Sequence, residues 1–160
     1  MNQVTISIPN PEDKLDALHY EMWMLNSILH VSNSVLSNLS SSQVVSNALL
    51  ESFLVHARNL KDFLEKTKQD DDIVCSDFLD NNGLHINKIS VNLQSDIKNK
   101  INKYLSHLTE TRMHTKPAWK LDEIKKEVNK SLEVFFNQLS DKYFPTQGDR
   151  NKDSFLDLLK

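Results

Sequence analysis

Apolar residues recur at alternating steps of three and four positions along most of this chain, the spacing of helices that bury one face. The pattern predicts four long helices, at about residues 11–38, 42–67, 92–114 and 119–143. On the second helix the predicted inward stripe consists of Val45, Leu49, Phe53, His56, Leu60 and Phe63. One member of that stripe is a histidine, so this helix is a candidate for chemistry as well as for packing.

Residues that form tight turns are scarce in the chain. There are 2 glycines and 4 prolines among 160 residues, whereas a β-sandwich of this length needs many turn residues. Asn10 and Pro11 make a favourable helix start, since asparagine caps a helix and proline suits its first position. We therefore predict an all-α fold, an antiparallel four-helix bundle with short outer connections. Residues 1–144 are predicted to form the single bundle domain, and residues 145–160 a C-terminal tail that can form a short helix.

Two segments fall outside the helical pattern. At the N-terminus, Val4, Ile6 and Ile8 alternate with polar residues. This alternation predicts a short extended arm that lies on the bundle, pairs across a dimer or frays. Residues 73–91 are predicted to form an irregular middle connection, with a turn at residues 81–83.

The charge balance of the chain favours no particular class of partner. The formal net charge of −3 gives no overall attraction to nucleic acid or to an anionic membrane. Residues 96–130 are locally basic, with nine lysines and arginines against five acids. Such a run is more often a solvated helix face than a binding surface. Nucleic acid is therefore the less favoured partner, and a membrane is not expected.

No targeting or membrane-spanning segment is visible in the pattern. The N-terminus lacks the basic and apolar regions of a secretory signal. No run of residues approaches the roughly 18 consecutive apolar residues of a spanning helix. The single cysteine, Cys75, cannot form a disulfide within the chain. We expect a cytoplasmic protein.

A second histidine, His107, lies on the third predicted helix beside its apolar stripe. Because the second and third helices of a bundle can be neighbours, both histidines can point into one seam. The candidate polar seam consists of Glu51, His56, Arg58, Asn59, Asp62, His107, Thr111 and Arg112. Such a cluster can act as acid, base and phosphate anchor, or it can be a buried hydrogen-bond network that fixes helix register. Both interpretations stay open, and no residue is assigned as catalytic.

Motifs for metals, cofactors and activated nucleophiles do not occur in the sequence. The six histidines form no HExxH or HxxxH pair, no glutamate precedes a histidine by three positions, and no CxxC pair exists. These are the spacings that zinc and di-iron sites on helices require. Two isolated glycines cannot build a phosphate-binding loop, and there is no GxSxG elbow. We expect no metal and no cofactor.

Two stretches, residues 50–60 (LESFLVHARNL) and 102–112 (NKYLSHLTETR), resemble an uncharacterised bacterial family of helical bundles. The overall plan is more distantly similar to HEPN bundles, which occur in bacterial defence systems and often act as dimeric RNA-cleaving modules. The HEPN signature is an arginine followed by a histidine after four to six residues. No arginine of this chain has such a histidine, and His107 and Arg112 stand in the reverse order. No HEPN catalytic residue is carried over, and the resemblance implies a helical interaction module.

Two functions follow as expectations. The first is a non-enzymatic helical-bundle protein that acts as an interaction or binding module, as a homodimer or with another protein. The alternative is a HEPN-like RNA-binding module or ribonuclease of a defence or toxin system.

Overall fold

The computed structural model describes residues 10–38, 43–93, 99–101, 119–144 and 151–160. The described part is all-α, as predicted, and its β contacts are isolated bridges. Residues 99–101 are helical, and the other α-helices are α1 (Pro11–Asn38), α2 (Gln43–Glu65), α3 (Leu121–Gln138) and the short α4 (Lys152–Asp157). None of the helices within these ranges combines the length and the apolar content needed to cross a membrane.

Helix α1 begins at the predicted cap. The Asp13 N–H donates to Asn10 Oδ1 at 2.8 Å, and the Asn10 N–H donates to Asp13 Oδ2 at 3.3 Å. The two side chains therefore satisfy each other's backbone donors, as in a capping box. Pro11 occupies the first helical position, where its missing N–H costs nothing. The helix then buries its apolar stripe, namely Leu15, Leu18, Met22 and Leu25.

Contacts between side chains fix the directions of the long helices. Glu21 of α1 meets His56 of α2, and Lys14 near the start of α1 pairs with Asp77 beyond the end of α2, so α1 and α2 are antiparallel. Helix α3 also runs against α1. Asn129 of α3 donates a hydrogen bond to Asn26 of α1. Phe136, further along α3, contacts Phe155, whose ring contacts His19, a residue nearer the start of α1. The later residue of α3 thus lies beside the earlier residue of α1.

The core is dominated by aromatic rings at the end of the molecule where α2 and α3 finish. Phe63, Phe78 and Phe135 meet edge to face, with centroids 5.0–6.0 Å apart. Phe136 continues this cluster to Phe155 of α4 at 5.1 Å. Edge-to-face packing is the arrangement that aromatic quadrupoles favour. The tail therefore contributes a buried ring to the core of its own chain.

The connection after α2 folds back over the end of that helix. It contains a 3-10 turn, Cys75–Asp77, and a bridge between Leu79 and His85. Gly83 makes the intervening turn at φ +77°, a value that favours glycine. The predicted turn at residues 81–83 is thus present, and the chain then runs without helix to residue 93.

This connection satisfies the end of α2. The Leu64 carbonyl accepts the Ile89 N–H at 2.9 Å and the Cys75 thiol at 3.3 Å. Glu65 Oε1 accepts the Val91 N–H at 2.8 Å. The last carbonyls of a helix have no partner within the helix, so these bonds attach the connection to α2.

Two predicted helix boundaries are wrong. Residues 92–93 are not helical, because this part of the chain is still held in the connection by the bond from Val91 to Glu65. Helix α3 ends at Gln138 rather than residue 143. Leu139 is extended and forms a bridge with Asp80, and a separate 3-10 turn, Asp141–Tyr143, follows.

Candidate functional site

The polar seam between α1 and α2 is built on one carboxylate. His56 Nδ1 lies 2.7 Å from Glu21 Oε2, a distance at which the ring N–H donates to the carboxylate. Asn59 Nδ2 donates to the same oxygen at 3.1 Å. His56 is only 8% exposed, so its ring is held inside the interface between the helices. We call Glu21, His56 and Asn59 the seam triad.

Glu21 is the seam residue that sequence reasoning missed. It lies three positions after Leu18 and four before Leu25, at the edge of the buried stripe of α1. A charged residue at that edge faces a neighbouring helix, and this was the available signal. The partner itself could not be read, because Glu21 and His56 are 35 positions apart.

The seam triad borders the protein surface on one side. The ring of Tyr20 meets His56 edge to face, with centroids 5.8 Å apart and an interplanar angle of 78°. Tyr20 is 52% exposed and its neighbour Trp23 is 48% exposed. Their centroids lie 6.4 Å apart. The histidine is therefore covered on this side by the ring of Tyr20, which is half open to solvent and lies beside Trp23.

Beyond the triad, α2 carries a row of ion pairs. Arg58 Nε lies 3.8 Å from Asp62 Oδ2, the pair expected from their spacing of four residues. Lys61 Nζ lies 3.6 Å from Asp62 and 3.1 Å from Glu65. Pairs of this type on a helix surface contribute only tenths of a kcal/mol, about 0.3–0.5. They stabilise the helix weakly and leave the triad as the stronger feature.

A cavity of about 400 Å³ lies between α2 and the segment that follows it. Its polar lining comprises Arg58, Asn59, Asp62, Lys66 and Asp72. Lys66 Nζ lies 3.0 Å from Asp72 Oδ2, and the hydrogen bond and charge of Asp72 raise the pKa of Lys66. Two cations thus face two carboxylates. The lining can hold a small polar molecule but offers no net charge to an anion.

Five of the predicted seam residues belong to α2. His56 and Asn59 belong to the triad, Arg58 and Asp62 form a partly exposed pair, and Glu51 is exposed two turns before Arg58. The other three, His107, Thr111 and Arg112, lie outside the described residues, as does the predicted N-terminal arm at residues 1–9. The pairing of His56 with His107 in one seam therefore stays a prediction.

Cys75, the single thiol, is buried. Burial raises the pKa of the Cys75 thiol, and backbone hydrogen bonds only partly oppose that effect. The thiol donates to the Leu64 carbonyl at 3.3 Å. A protonated, covered thiol is a poor nucleophile, so Cys75 serves the attachment of the connection to α2.

The geometry of the triad supports attachment of one helix to another. Glu21 uses a single oxygen for both His56 and Asn59, and the histidine nitrogen that faces it is thereby occupied. Comparison of the chain with protein-family models, curated proteins and solved structures finds no match.

Proposed function

We propose that this protein is a non-enzymatic helical-bundle interaction module that works as a homodimer or with another protein. The observation that carries the proposal is the burial of His56 and the use of its Nδ1 by Glu21. A general base needs to reach the proton that it removes, whereas a group enclosed between two helices fixes their register. The chemistry of the seam is thus directed inward.

We also propose the antiparallel four-helix arrangement, with the helix that includes residues 99–101 as the remaining long helix. In support, α1 is antiparallel to both α2 and α3. The contact between Glu21 and His56 relates α1 to α2, and the Asn26–Asn129 bond with the ring contacts of Phe136 relates α1 to α3. A helix between α2 and α3 in sequence then runs with α1 in an up-down bundle. A cytoplasmic location belongs to the same proposal, because the single cysteine forms no disulfide within the chain.

Helix α2 provides the surface for the homodimer. Val44 is 75% exposed and Val55 is 40% exposed. Together with Ala48 and Glu51 they follow a spacing of three and four residues, so they lie along one outward line of α2. Exposed β-branched residues aligned on one helix face are suited to contact with a second apolar surface.

Charges beside Val55 make this line self-complementary. Glu51 lies before Val55 and Arg58 after it, seven residues apart and therefore on similar sides of α2. In an antiparallel pairing of two α2 helices about a two-fold axis near Val55, each Glu51 approaches the partner's Arg58. A two-fold interface uses the same patch of both copies, and this arrangement meets that requirement.

Sedimentation velocity on matched variants tests the homodimer. We expect the wild-type chain to dimerise at micromolar concentrations. Val55→Asp should dissociate it, because a carboxylate would be desolvated at the axis. Val134→Asp is the control, since Val134 of α3 is 43% exposed but lies on another helix. A wild-type monomer, or equal dimerisation of both variants, would contradict the homodimer.

A HEPN-like RNA-binding module or ribonuclease is the second candidate function. The feature that favours it is the cavity beside Asn59, whose lining includes two cations, Arg58 and Lys66, of the types that bind phosphate. Against it, each of these cations has an acid beside it, Asp62 or Asp72. Binding of RNA would have to displace those pairs.

The second candidate predicts a loss of RNA contact without a loss of folding. Mixed single-stranded RNA oligonucleotides should bind or be cut by the wild-type chain, and Arg58→Gln with Lys66→Gln should remove that effect while the melting temperature stays unchanged. Lys120→Gln, on the exposed lysine that precedes α3, is the charge-matched control for a single lysine. RNA that is neither retarded nor cut by the wild type would exclude this candidate.

A further inference from the structure

The outward side of α1 carries a line of acidic and aromatic residues. Asp13, Asp16, Tyr20 and Trp23 follow one another at steps of three, four and three residues, so they share one side of the helix. All four are exposed. We call them the aromatic–acidic stripe. The stripe lies opposite the buried stripe of the same helix. It belongs to α1, whereas the outward line with Val44 and Val55 belongs to α2.

Tyr20 and Trp23 form an aromatic platform within this stripe. Their ring centroids are 6.4 Å apart with a tilt of 40°. Tyr20 also rests on His56, whose position is set by Glu21. Because the Tyr20 ring is supported by His56, that ring loses little conformational freedom when a ligand binds. Tyrosine and tryptophan side chains are typical anchors of protein interfaces.

The acidic residues of α1 favour a positively charged ligand. The helix carries the acids Glu12, Asp13, Asp16 and Glu21 against one lysine, Lys14. Lys14 is directed elsewhere, with Nζ 3.3 Å from Asp77 Oδ2. The exposed charges that α1 contributes to the stripe are therefore negative, and negative charge repels phosphate and attracts cations.

We propose that the aromatic–acidic stripe binds arginine side chains presented by a partner protein, an inference that rests on the proposed role as an interaction module. The guanidinium group stacks on tryptophan and tyrosine faces and also donates to carboxylates in a planar fork. Trp23 and Tyr20 supply the faces, and Asp16, one turn before Tyr20, supplies a carboxylate on the same side. A lysine ammonium gains the charge attraction but lacks the planar stacking.

The probes are acetylated, amidated hexapeptides of arginine, lysine or citrulline. Citrulline keeps the planar shape of arginine without its charge. Affinities are measured by fluorescence anisotropy of labelled peptide, and the location of binding by the indole N–H signals of Trp23 and Trp119 in NMR spectra. Trp119→Phe assigns the two signals. The wild-type chain should bind hexaarginine about tenfold more tightly than hexacitrulline and about threefold more tightly than hexalysine.

The variants locate the contribution of each group. Trp23→Ala should weaken hexaarginine binding about fivefold or more, and Asp16→Asn about twofold to threefold. Asp122→Asn on α3 is the matched control, because Asp122 is an exposed acid far along the sequence from the stripe, and it should leave the affinity unchanged. In the wild type the Trp23 indole signal should move and that of Trp119 should stay.

Several outcomes would overturn the inference. Equal binding of hexaarginine and hexacitrulline would remove the role of charge, and equal binding of hexaarginine and hexalysine would remove that of the platform. Unchanged affinity of Trp23→Ala would place the peptide elsewhere. A shift of the Trp23 signal by a single-stranded RNA oligonucleotide would assign the stripe to nucleic acid instead.

Failure here can be distinguished from failure of the proposed function. Dimerisation that is lost in Val55→Asp, combined with no binding of hexaarginine, would support the module and reject the arginine site. If the stripe receives an arginine of a second copy of this chain, Trp23→Ala should dissociate the dimer, and hexaarginine should compete with dimerisation. That result would assign the stripe to self-association and contradict a separate partner.

Discussion

The aromatic end of the molecule and the seam triad hold α2 in two different ways. At the aromatic end, Phe63 of α2 packs against Phe78 and Phe135, which are fully buried. In the seam, His56 is joined to Glu21 by a single short hydrogen bond. Burial of large rings supplies most of the free energy of folding, whereas a directed polar contact supplies little net energy but admits few alternatives.

This difference separates stability from specificity along one helix. A ring can be replaced by another apolar group of similar volume with modest loss. The Glu21–His56 contact has one geometry, and a shift of α1 by one residue would leave a carboxylate and an imidazole unpaired in a mostly apolar interface. The His56 ring that this contact holds in place also packs against Tyr20 at the surface. The position of Tyr20 therefore depends on the register of α1 and α2.

The largest effect is expected for Phe135→Ala. Phe135 contacts Phe63, Phe78 and Phe136 with centroid distances of 5.0–5.5 Å, and truncation leaves a cavity among them. The free energy of unfolding should fall by about 3–5 kcal/mol, measured by urea denaturation. The adjacent and half-exposed Val134→Ala should change it by about 0.5 kcal/mol or less. A small loss in Phe135→Ala would show that the aromatic end does not dominate stability.

A second effect concerns Asp77, which attaches the aromatic end to α1. Its carboxylate accepts Lys68 Nζ at 2.7 and 2.8 Å and lies 3.3 Å from Lys14 Nζ. Burial alone raises the pKa of Asp77, but the hydrogen bonds from Lys68 and the Val74 N–H and the charge of Lys14 outweigh it and lower the pKa. The contribution to stability is therefore present above the unfolded pKa of about 3.9 and is lost as the pH falls towards the folded pKa.

Asp77→Asn should reduce the free energy of unfolding at pH 7 by about 2 kcal/mol, the range of hydrogen bonds to charged groups. The difference from wild type should shrink as the pH is lowered below about 4, since Asp77 of the unfolded chain then binds a proton while the folded carboxylate, whose pKa is lower, still resists protonation. Denaturation curves across that range provide the measurement. The pKa of Asp80 is also lowered, mainly by the hydrogen bond from the Leu84 N–H. Asp80 is present in both proteins, so it does not affect the difference in free energy between them. A difference that grows on acidification would reverse the assigned sign.

The two groups of the seam should be energetically coupled, and each single change should cost less than Phe135→Ala. In a double-mutant cycle of His56→Ala and Glu21→Ala, we expect a coupling energy of about 1 kcal/mol. Each single change should cost more than the coupling, because it leaves the other group unpaired, although Glu21 is 24% exposed and regains some water. Denaturant unfolding of the four proteins measures all terms. Strict additivity would show that the hydrogen bond contributes nothing beyond packing.

Local signals were sufficient for the first two helices and insufficient elsewhere. Asn10 and Pro11 mark the start of α1, and the apolar periodicity that includes Phe53 and Phe63 marks the extent of α2. The predicted bounds of both helices agree with the structure to within two residues. Helix α3 was predicted too long because Leu139 continues its apolar pattern. The chain becomes extended there through the bridge to Asp80, a tertiary contact that periodicity does not contain.

The candidate site was predictable in part for the same reason. His56 was singled out because a histidine on an apolar stripe conflicts with its surroundings, and it is indeed buried. Its partner Glu21 lies on another helix, and helix pairing at a distance of 35 residues cannot be read from one sequence. The platform of Tyr20 and Trp23 was also missed, because the periodicity of α1 draws attention to the residues that it buries.

The smallest effect is expected for Asp62→Asn, at the exposed margin of the seam. Asp62 faces Arg58 at 3.8 Å and Lys61 at 3.6 Å, with 35% of its side chain exposed. Water screens such pairs, so the free energy of unfolding should change by only about 0.3–0.5 kcal/mol and the change should vanish in high salt. The Glu21–His56 coupling, partly shielded from water, should persist under the same salt. If the Asp62→Asn effect and the Glu21–His56 coupling respond equally to salt, the seam is as exposed to water as the ion pairs beside it. The distinction between a specific buried contact and weak surface pairs would then be wrong.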